Sequence, residues 1–588
     1  MPRIAFIAKP ATSRIRPRTS SGPCRKAAAA PITPICEAAR MRAFLLAFAL
    51  LLSAACRPHA APALTDWLAA GYAEQQFDLA AAVGFYRRAL EADPGNLKIQ
   101  GRLLRMHVAA GRAAESLSFA QELDAAPPAS ALDGSRAFDG ALVALRLAVD
   151  AAHRGDWPEA ARRLEGQGGK ALPETVRLLG LAWINRAKGD RDAVQAALAK
   201  AGRVRGAAGW TALNRALLLQ SAGRRDEARA AFRSLRSAGA RPRGLLAEAG
   251  FLMAAGEREG ASDLLRQYRL LGGRLHAEEP TALGPLASAP SEGFAEVLYG
   301  MAERLYRRRA PLALLYARLA VMLNPDHHAA LVLAGDILAG RDRYDEALAA
   351  YLAVPEDSIW RPAAEMRRAR ALASHDRFDE AVAVLEAEAA TRLQDPFPLG
   401  ELGHLLRGQE RYDEAAIAYG RAIDRIGAQP EGRHWRLFYG RGIAFERTRR
   451  WELAERDLLQ ALDFVPNQAY VLNYLGYSWI DRGEHYDRAE EMVAKAVDLR
   501  PRDGYIADSL GWVYFRTGRY DEAVEELERA AALEPLDPVV NEHLGDAYWK
   551  TGRRIEARFQ WRRALEFDPD PERVEGLRQR LDCGLDCG

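Results

Sequence analysis

The sequence has few cysteines, and none of them lies in its long central part. Its five cysteines are Cys24, Cys36, Cys56, Cys583 and Cys587. This distribution excludes a disulfide framework or a cysteine zinc site that would hold the body of the chain together. The closing pair, Cys583 and Cys587, leaves two alternatives open: a disulfide in an oxidising compartment, or a tail with two free thiols.

The sequence also lacks a strong excess of charge. It has 82 basic and 79 acidic side chains, a formal net charge of +3. Residues 1–55 hold nine basic side chains and one acidic side chain, a net +8 that leaves about −5 for the rest. The basic character therefore belongs to residues 1–55, and the charge of residues 56–588 gives no indication of nucleic-acid binding.

Short catalytic motifs are missing as well. The chain contains no Gly-rich phosphate loop ending in Lys-Ser/Thr, no Gly-x-Ser-x-Gly and no His-Glu-x-x-His. The one adjacent histidine pair, His327 and His328, follows Asn-Pro-Asp, and we interpret it as a solvated turn and not as a metal site. We therefore predict no catalytic residue, no metal and no cofactor, and we do not expect an enzyme.

The longest apolar run, Ala43 to Ala55, has thirteen residues. It is too short to cross a bilayer as a helix, which takes about 20 residues. Met41 and Arg42 precede the run, and small residues end it before Cys56, as in a signal peptide. We interpret 1–40 as an over-called extension and 41–55 as the signal peptide. The alternative is a buried hydrophobic helix in a cytoplasmic protein that starts at Met1.

Ser53-Ala54-Ala55 followed by Cys56 resembles a bacterial lipoprotein signal, in which the cysteine thiol is diacylated. The resemblance implies lipid attachment at Cys56 and residence on the periplasmic side of the outer membrane. The family usually has Leu where this chain has Ser53. Cleavage by the ordinary signal peptidase would instead give a soluble periplasmic protein. Two or more acyl chains are enough for stable anchoring.

The rest of the chain repeats one pattern. Alanine recurs at intervals of 34 to 39 residues, at positions 313, 347, 381, 415, 454, 489, 523 and 557. Further upstream, glycines at 155, 189, 223 and 256 are spaced by 33 or 34 residues. Such a period indicates a stack of small units that cannot bury their apolar faces alone.

These landmarks, as in Leu510-Gly511, Tyr514, Gly518, Ala523 and Ala530, resemble the tetratricopeptide repeat. The resemblance covers about 64–569 and implies an all-α, right-handed superhelical solenoid of about 14 helix-turn-helix repeats. We divide the chain from residue 56 onward into N-terminal repeats at 56–127, degenerate repeats at 128–282, regular repeats at 283–430, C-terminal repeats at 431–569 and a tail at 570–588.

In this family the first helices of the repeats line a concave groove that binds peptides. By this resemblance we assign a partner-binding groove to aromatic and hydrogen-bonding side chains of the last repeats. The assigned residues are Tyr470, Asn473, Tyr477, Tyr505, Asp508, Trp512, Phe515, Glu542, His543, Asp546 and Trp549. Rigid aromatics beside polar groups suit peptide binding, although generic repeats also use aromatics for packing.

The stretch from Asn473 to Asp546 is similar to the last repeats of proteobacterial tetratricopeptide lipoproteins. Some of these are adaptors of a carboxy-terminal processing protease. The similarity implies a scaffold at the cell envelope whose partners are other proteins or peptides, including such a protease and its substrates. The alternative is a structural assembly factor for a secretion or polysaccharide-export complex. The sequence does not determine the oligomeric state.

Overall fold

A computed structural model describes residues 61–126, 134–239, 241–271, 283–427 and 431–586. Within these ranges the regular elements are thirty α-helices and two short 3-10 helices, and no strand occurs there. The predicted fold class, an all-α array of helix-turn-helix repeats, is confirmed. The predicted extension, signal peptide and Cys56, and the predicted boundaries at 127, 282 and 430, lie outside the described residues and stay predictions.

The chain divides into two compact units between Glu388 and Ala389, inside a helix. Fourteen helix pairs follow one another among the described residues, in agreement with the predicted number of repeats. The pairs of the first unit are α1 Ala61–Gln75 and α2 Leu79–Ala92, α3 Leu97–Ala109 and α4 Ala113–Ala125, α5 Gly134–His153 and α6 Trp157–Glu165, then a separate short α7 Gln167–Lys170, α8 Glu174–Lys188 and α9 Arg191–Arg203, α10 Ala208–Ser221 and α11 Arg225–Ser237, α12 Pro242–Ala254 and α13 Arg258–Leu270, α14 Pro290–Leu305 and α15 Ala310–Leu323, α16 His328–Ala339 and α17 Tyr344–Leu352, and α18 Arg361–Ser374 and α19 Phe378–Thr391.

The second unit continues the same pattern and ends on an unpaired helix. Its elements are α20 Phe397–Gly408 and α21 Tyr412–Ile426, the 3-10 turn Gly432–His434, α22 Trp435–Arg447 and α23 Trp451–Phe464, α24 Ala469–Arg482 and α25 Tyr486–Leu499, α26 Gly504–Arg516 and α27 Tyr520–Leu533, α28 Pro538–Lys550 and α29 Arg554–Glu566, and finally α30 Pro571–Cys583 with the 3-10 turn Gly584–Asp586. The predicted tail therefore contains a helix.

The turn between the two helices of a repeat requires a left-handed backbone. Gly518 has a φ of 81° there and Gly552 has the same value. Other repeats place a non-glycine residue in this conformation, such as Asp342 at 57° and Arg449 at 62°. Glycine adopts positive φ without steric cost, whereas other residues are strained. The turn geometry is therefore kept even where the glycine that marks it in the sequence is missing.

Small residues let the two helices of a repeat approach closely. The eight alanines of the repeating pattern, all near the start of a second helix, are fully buried. A Cβ added at Gly511 would lie 2.5 Å from Leu527 Cγ, and one added at Gly545 would lie 2.5 Å from the Trp561 ring. The sequence period is thus the period of these backbone contacts, because larger side chains would push the helices apart.

In the first unit the helix array doubles back on itself. Helix α14 packs against α8 and α10, and α15 packs against α3 and α5. Gly293 lies directly on the Trp183 ring, where an added Cβ would come within 2.2 Å, and the Phe294 ring covers Gly180. His153 Nδ1 is 3.2 Å from the carbonyl oxygen of Leu323. The faces of these first helices are therefore covered by other helices of the same unit.

We expect Ala523→Glu to unfold the last repeats locally. Ala523 is fully buried in a cluster with Leu527, Tyr548 and Trp561. A carboxylate placed there would be buried without a partner, a change that costs about 3 to 5 kcal/mol. Hydrogen exchange should lose protection around α26 to α30 while the first unit stays protected, because each repeat contacts mainly its neighbours.

Ala532→Glu is the matched control, because Ala532 lies on the same helix but is exposed. It should leave exchange unchanged. A uniform loss of protection along the whole chain in Ala523→Glu would contradict stability that is distributed repeat by repeat.

Candidate partner-binding site

The eleven residues of the predicted groove lie on the first helices of three successive repeats, α24, α26 and α28. Four of them are accessible: Tyr470 is 38% exposed, and Tyr505, Trp512 and Phe515 are half-buried. The remaining seven are Asn473, Tyr477, Asp508, Glu542, His543, Asp546 and Trp549, and all are buried. Partner binding by these residues stays a prediction, but most of them serve contacts within the unit.

Helix α30 accounts for the burial at the last repeat. Arg573 donates to Glu542 at 2.6 Å, and Arg580 Nε lies 3.1 Å from Asp546. Asp546 also accepts a hydrogen bond from Trp561 Nε1 at 2.9 Å. Glu542 and Asp546 thus hold the helix that closes the array and are not free for a partner.

His543 lies in a buried stack at the same end. Its Nδ1 is 3.0 Å from both carboxylate oxygens of Asp508. Its ring stacks on Trp512, with centroids 4.1 Å apart and planes inclined by 16°. Burial alone would lower the pKa of His543, but the charge of Asp508 and its hydrogen bond outweigh burial and raise that pKa.

Tyr477 is 4% exposed and is surrounded by acidic side chains. Burial raises its pKa first, and the negative charges of Asp508 and Asp481 raise it further, while Arg573 opposes them. Its phenol therefore stays protonated at physiological pH. The role of Tyr477 is to fill the interior between repeats, next to a network of internal ion pairs.

An open pocket of about 700 Å³ lies nearer the start of the second unit. Its residues come from the first helices of four successive repeats, α20, α22, α24 and α26, from the turn before α26, and from the position directly after α27. They are His404, Arg407, Tyr439, Tyr470, Asn473, Tyr474, Arg500, Pro501, Arg502, Asp503, Tyr505 and Glu534. Three predicted groove residues, Tyr470, Asn473 and Tyr505, meet here.

Sequence reasoning missed the other members of this pocket. Tyr439 and Asn473 are 34 residues apart, and Asp508 follows after 35, so they hold the same place in three successive repeats. This period was available to extend the groove upstream to Tyr439. The buried Arg407 and the turn residues Arg500 to Asp503 carried no comparable signal, since arginines are frequent throughout the chain.

Two polar groups of the pocket have no hydrogen-bond partner. They are the Oδ1 acceptor of Asn473 and the Nε donor of Arg407, both buried atoms. Asn473 is only 3% exposed. An unpaired buried polar atom costs about 1 to 3 kcal/mol, so a ligand that supplies one donor and one acceptor would relieve both. A peptide group carries this combination.

Aromatic rings form the walls around these two groups. Tyr439 and Tyr474 pack edge to face with centroids 5.9 Å apart, and the Tyr474 hydroxyl donates to Glu446 at 2.9 Å. Arg500 lies over the Tyr470 ring at 4.9 Å. Burial raises the pKa of Tyr439 to about 12, with smaller contributions from Tyr470 and Tyr419. The aromatic walls are therefore neutral, with Arg407 buried beside them and Arg500 and Arg502 exposed at the rim.

The histidine pair is not the solvated turn that the sequence indicated. His327 is buried, its Nδ1 accepts from the backbone N–H of Ala330 at 3.2 Å, and its Nε2 is 3.1 Å from Glu296. His328 contacts Ser358 Oγ at 2.7 Å. His327 is buried against α14, where its ring also packs on Tyr299 with centroids 4.9 Å apart, whereas Pro325 and Asp326 of the same turn are exposed. Within the part of the chain that the structure describes, no cluster of metal-ligating side chains occurs.

Two further findings concern the membrane and the tail. Among the described helices, none combines the length and the apolar character needed to cross a bilayer. Cys583 is disulfide-bonded, and no other cysteine lies among the described residues.

Comparison with known families identifies the repeats. Residues 401–469 match the family model "Tetratricopeptide repeat", and residues 511–552 match the model "TPR repeat". These two stretches are similar to tetratricopeptide repeats. These repeats form a protein-interaction fold, and neither matching model is that of an enzyme. Both matches lie in the second unit, where the predicted groove residues and the open pocket are found.

Several solved repeat proteins are similar at low identity. The APC/C complex Cut9-Hcn1 is 15% identical over 88% of this chain and 96% of that one, with a TM-score of 0.39. A repeat protein from Parabacteroides merdae is 15% identical over 43% and 98%, with a TM-score of 0.36. YrrB, described as having an unusual peptide-binding site, is 17% identical over 33% and 97%, with a TM-score of 0.26. No curated protein matches the chain.

We expect Asp508→Asn to lower the pKa of His543 below its ordinary value, because burial and the charge of Arg573 would then outweigh the remaining acidic neighbour, Glu542. In the unaltered protein this pKa is raised, so protonated His543 stabilises the fold at low pH. That stabilisation is lost as the pH rises through the folded-state pKa. A proton NMR titration of the His543 ring, with unfolding measured across the same pH range, checks both effects.

Asp521→Asn serves as the control, since Asp521 is exposed near the start of α27. In the Asp521→Asn variant the pKa of His543 should match that of the unaltered protein. An unchanged His543 pKa in Asp508→Asn would show that the pair is not coupled electrostatically.

Proposed function

We propose that the chain is a non-enzymatic scaffold of the bacterial cell envelope that holds an extended segment of a partner protein in the pocket of the second unit. The observation that carries the proposal is that the pocket contains both a hydrogen-bond acceptor without a partner, Asn473 Oδ1, and a hydrogen-bond donor without a partner, Arg407 Nε. Both belong to residues that line an open pocket with tyrosine walls. Peptide recognition commonly combines backbone hydrogen bonds with pockets for alternate side chains.

The tyrosines favour a protein partner for a further reason. Tyrosine buries a large area and loses little conformational entropy, which makes it effective at binding surfaces. Tyr470 is the most accessible of the groove residues, at 38% exposure, and Arg500 already stacks on one side of it. A partner side chain that enters beside Tyr470 would extend this stack.

In its finer form the proposal is that the scaffold brings a periplasmic carboxy-terminal processing protease to its substrates. This finer form is suggested by the sequence motifs between Asn473 and Asp546 alone, since no curated protein matches the chain. A structural assembly factor for a secretion or polysaccharide-export complex is the second candidate. An assembly factor would co-purify with its partner in fixed stoichiometry, whereas an adaptor would hold a substrate only transiently.

A photoreactive amino acid at position 470 tests the pocket in cells. We expect it to crosslink to a partner segment, and Asn473→Ala should reduce the yield because one backbone hydrogen bond to the partner is lost. A bond of 0.5 to 1.5 kcal/mol corresponds to a loss in affinity of up to about tenfold. Mass spectrometry of the crosslinked product then identifies the segment and its protein.

The same photoreactive residue at position 417 is the control, because Ile417 lies on a second helix and is 64% exposed. It should not give the same product. Equal crosslinking from both positions, or a yield that Asn473→Ala does not change, would argue against binding in the pocket.

We further propose that lipid on Cys56 anchors the scaffold to the outer membrane. Replacement of Cys56 by Ser removes the acylated thiol, so the protein should move from the membrane to the soluble periplasmic fraction. Fractionation with immunodetection measures the change, and Cys36→Ser is the control that should have no effect. Unchanged membrane association of Cys56→Ser would contradict the lipid anchor, and a cytoplasmic protein in both cases would contradict the envelope location.

A further inference from the structure

The first unit contains a second cavity, unrelated to the pocket of the second unit. It has a volume of about 290 Å³ and lies where α14 crosses α10, α11 and α12. Its floor is apolar and its rim is charged. The floor residues that matter are Trp210, Leu213, Leu217, Phe232 and Leu245.

The floor is formed by tight packing of α14 on Trp210. A Cβ added at Gly300 would lie 2.7 Å from Trp210 Nε1, so only glycine lets α14 come this close. The backbone carbonyl of Trp210 accepts a hydrogen bond from Asn214 at 3.0 Å. The tryptophan is therefore fixed in place, and the cavity beside it is a built feature of the fold.

Every carboxylate that lines this cavity already has a partner. Glu248 pairs with Arg236 at 2.7 Å, and Glu296 accepts from Arg243 Nε at 3.1 Å. Glu303 accepts from the Tyr299 hydroxyl at 2.8 Å. Glu248 and Glu296 thus neutralise Arg236 and Arg243, two of the four arginines that line the cavity, whereas Glu303, bonded to a neutral hydroxyl, neutralises none.

The other two arginines have no carboxylate partner among the described residues. Arg304 lies over the Trp210 ring, with its guanidinium carbon 5.6 Å from the ring centroid. The guanidinium of Arg241 lies beside Gly209, where an added Cβ would be 3.9 Å away. Both arginines are exposed, and Gly209 and Trp210 are adjacent in sequence. Two guanidinium groups without a carboxylate partner among the described residues therefore belong to the lining of one cavity with an apolar floor.

We propose that this cavity binds a ligand with a carboxylate and an apolar group of about the size of one large side chain. The apolar group would lie on Trp210 and the leucines, and Arg241 and Arg304 would hold the carboxylate. A volume of about 290 Å³ is at the lower end of the range of ligand pockets, which is about 300 to 1,000 Å³. A short fatty acid and the last residue of a protein with an apolar carboxy terminus share this chemistry.

Calorimetric titration of the full chain distinguishes the two sources. The probes are octanoate and the peptide acetyl-Ala-Ala-Leu-Phe with a free carboxylate, each compared with its neutral amide. We expect at least one acid to bind and its amide to bind about tenfold more weakly or not at all, because a charge-assisted hydrogen bond is lost. Octanoate alone indicates a small amphiphile, and the peptide alone indicates a protein tail.

The double variant Arg241→Gln with Arg304→Gln should weaken binding of the acid at least tenfold. The double variant Arg307→Gln with Arg308→Gln is the matched control, because these exposed arginines follow α14 and do not line the cavity. Gly209→Met, which places a side chain beside Arg241, should block binding without removing a charge. The proposal is overturned if neither acid binds, or if the first double variant binds as well as the control.

Discussion

The structure depends on one constraint: the two helices of each repeat meet through residues too small to keep them apart. The fully buried Ala523 and the glycine pair Gly511 and Gly545 occupy these contacts in the last complete repeats. Because one residue type is required at one place per repeat, the constraint appears in the sequence as a period. Each pair still leaves an apolar face that only the next pair can bury. The end of the array must therefore be closed by something that is not a full repeat.

Helix α30 closes that end in the second unit. It covers α28 with few apolar contacts, since Leu577 is its one buried side chain among the described residues, and it relies on Arg573 and Arg580 paired with Glu542 and Asp546. Arginine suits this role because its planar fork forms several directed hydrogen bonds at once. Polar side chains at the groove positions of the last repeat are thereby explained without a partner.

Part of this architecture could be predicted from the sequence, and part could not. The helix pairs, their number and their turns follow from local spacing, and the structure confirms them. The burial of Glu542 and of His327 does not follow from spacing. Glu542 is covered by α30, which belongs to no repeat, and His327 packs against Glu296 and Tyr299 of α14. A charged residue at a groove position looks the same in sequence whether an arginine of α30 or solvent faces it. Contacts such as that between Gly293 and Trp183, more than a hundred residues apart, reveal that the first unit doubles back.

The two units thus use the faces of their first helices differently. In the first unit α14 and α15 cover those faces, and what remains is a small cavity with two unpaired guanidinium groups. In the second unit the faces of α20 to α26 stay open, with an unpaired acceptor and donor between tyrosine walls. Buried polar groups without partners are rare in folded proteins because each one costs stability. The Asn473 acceptor and the Arg407 donor are buried atoms of residues that line the open pocket, so a partner segment that enters this pocket lies beside them.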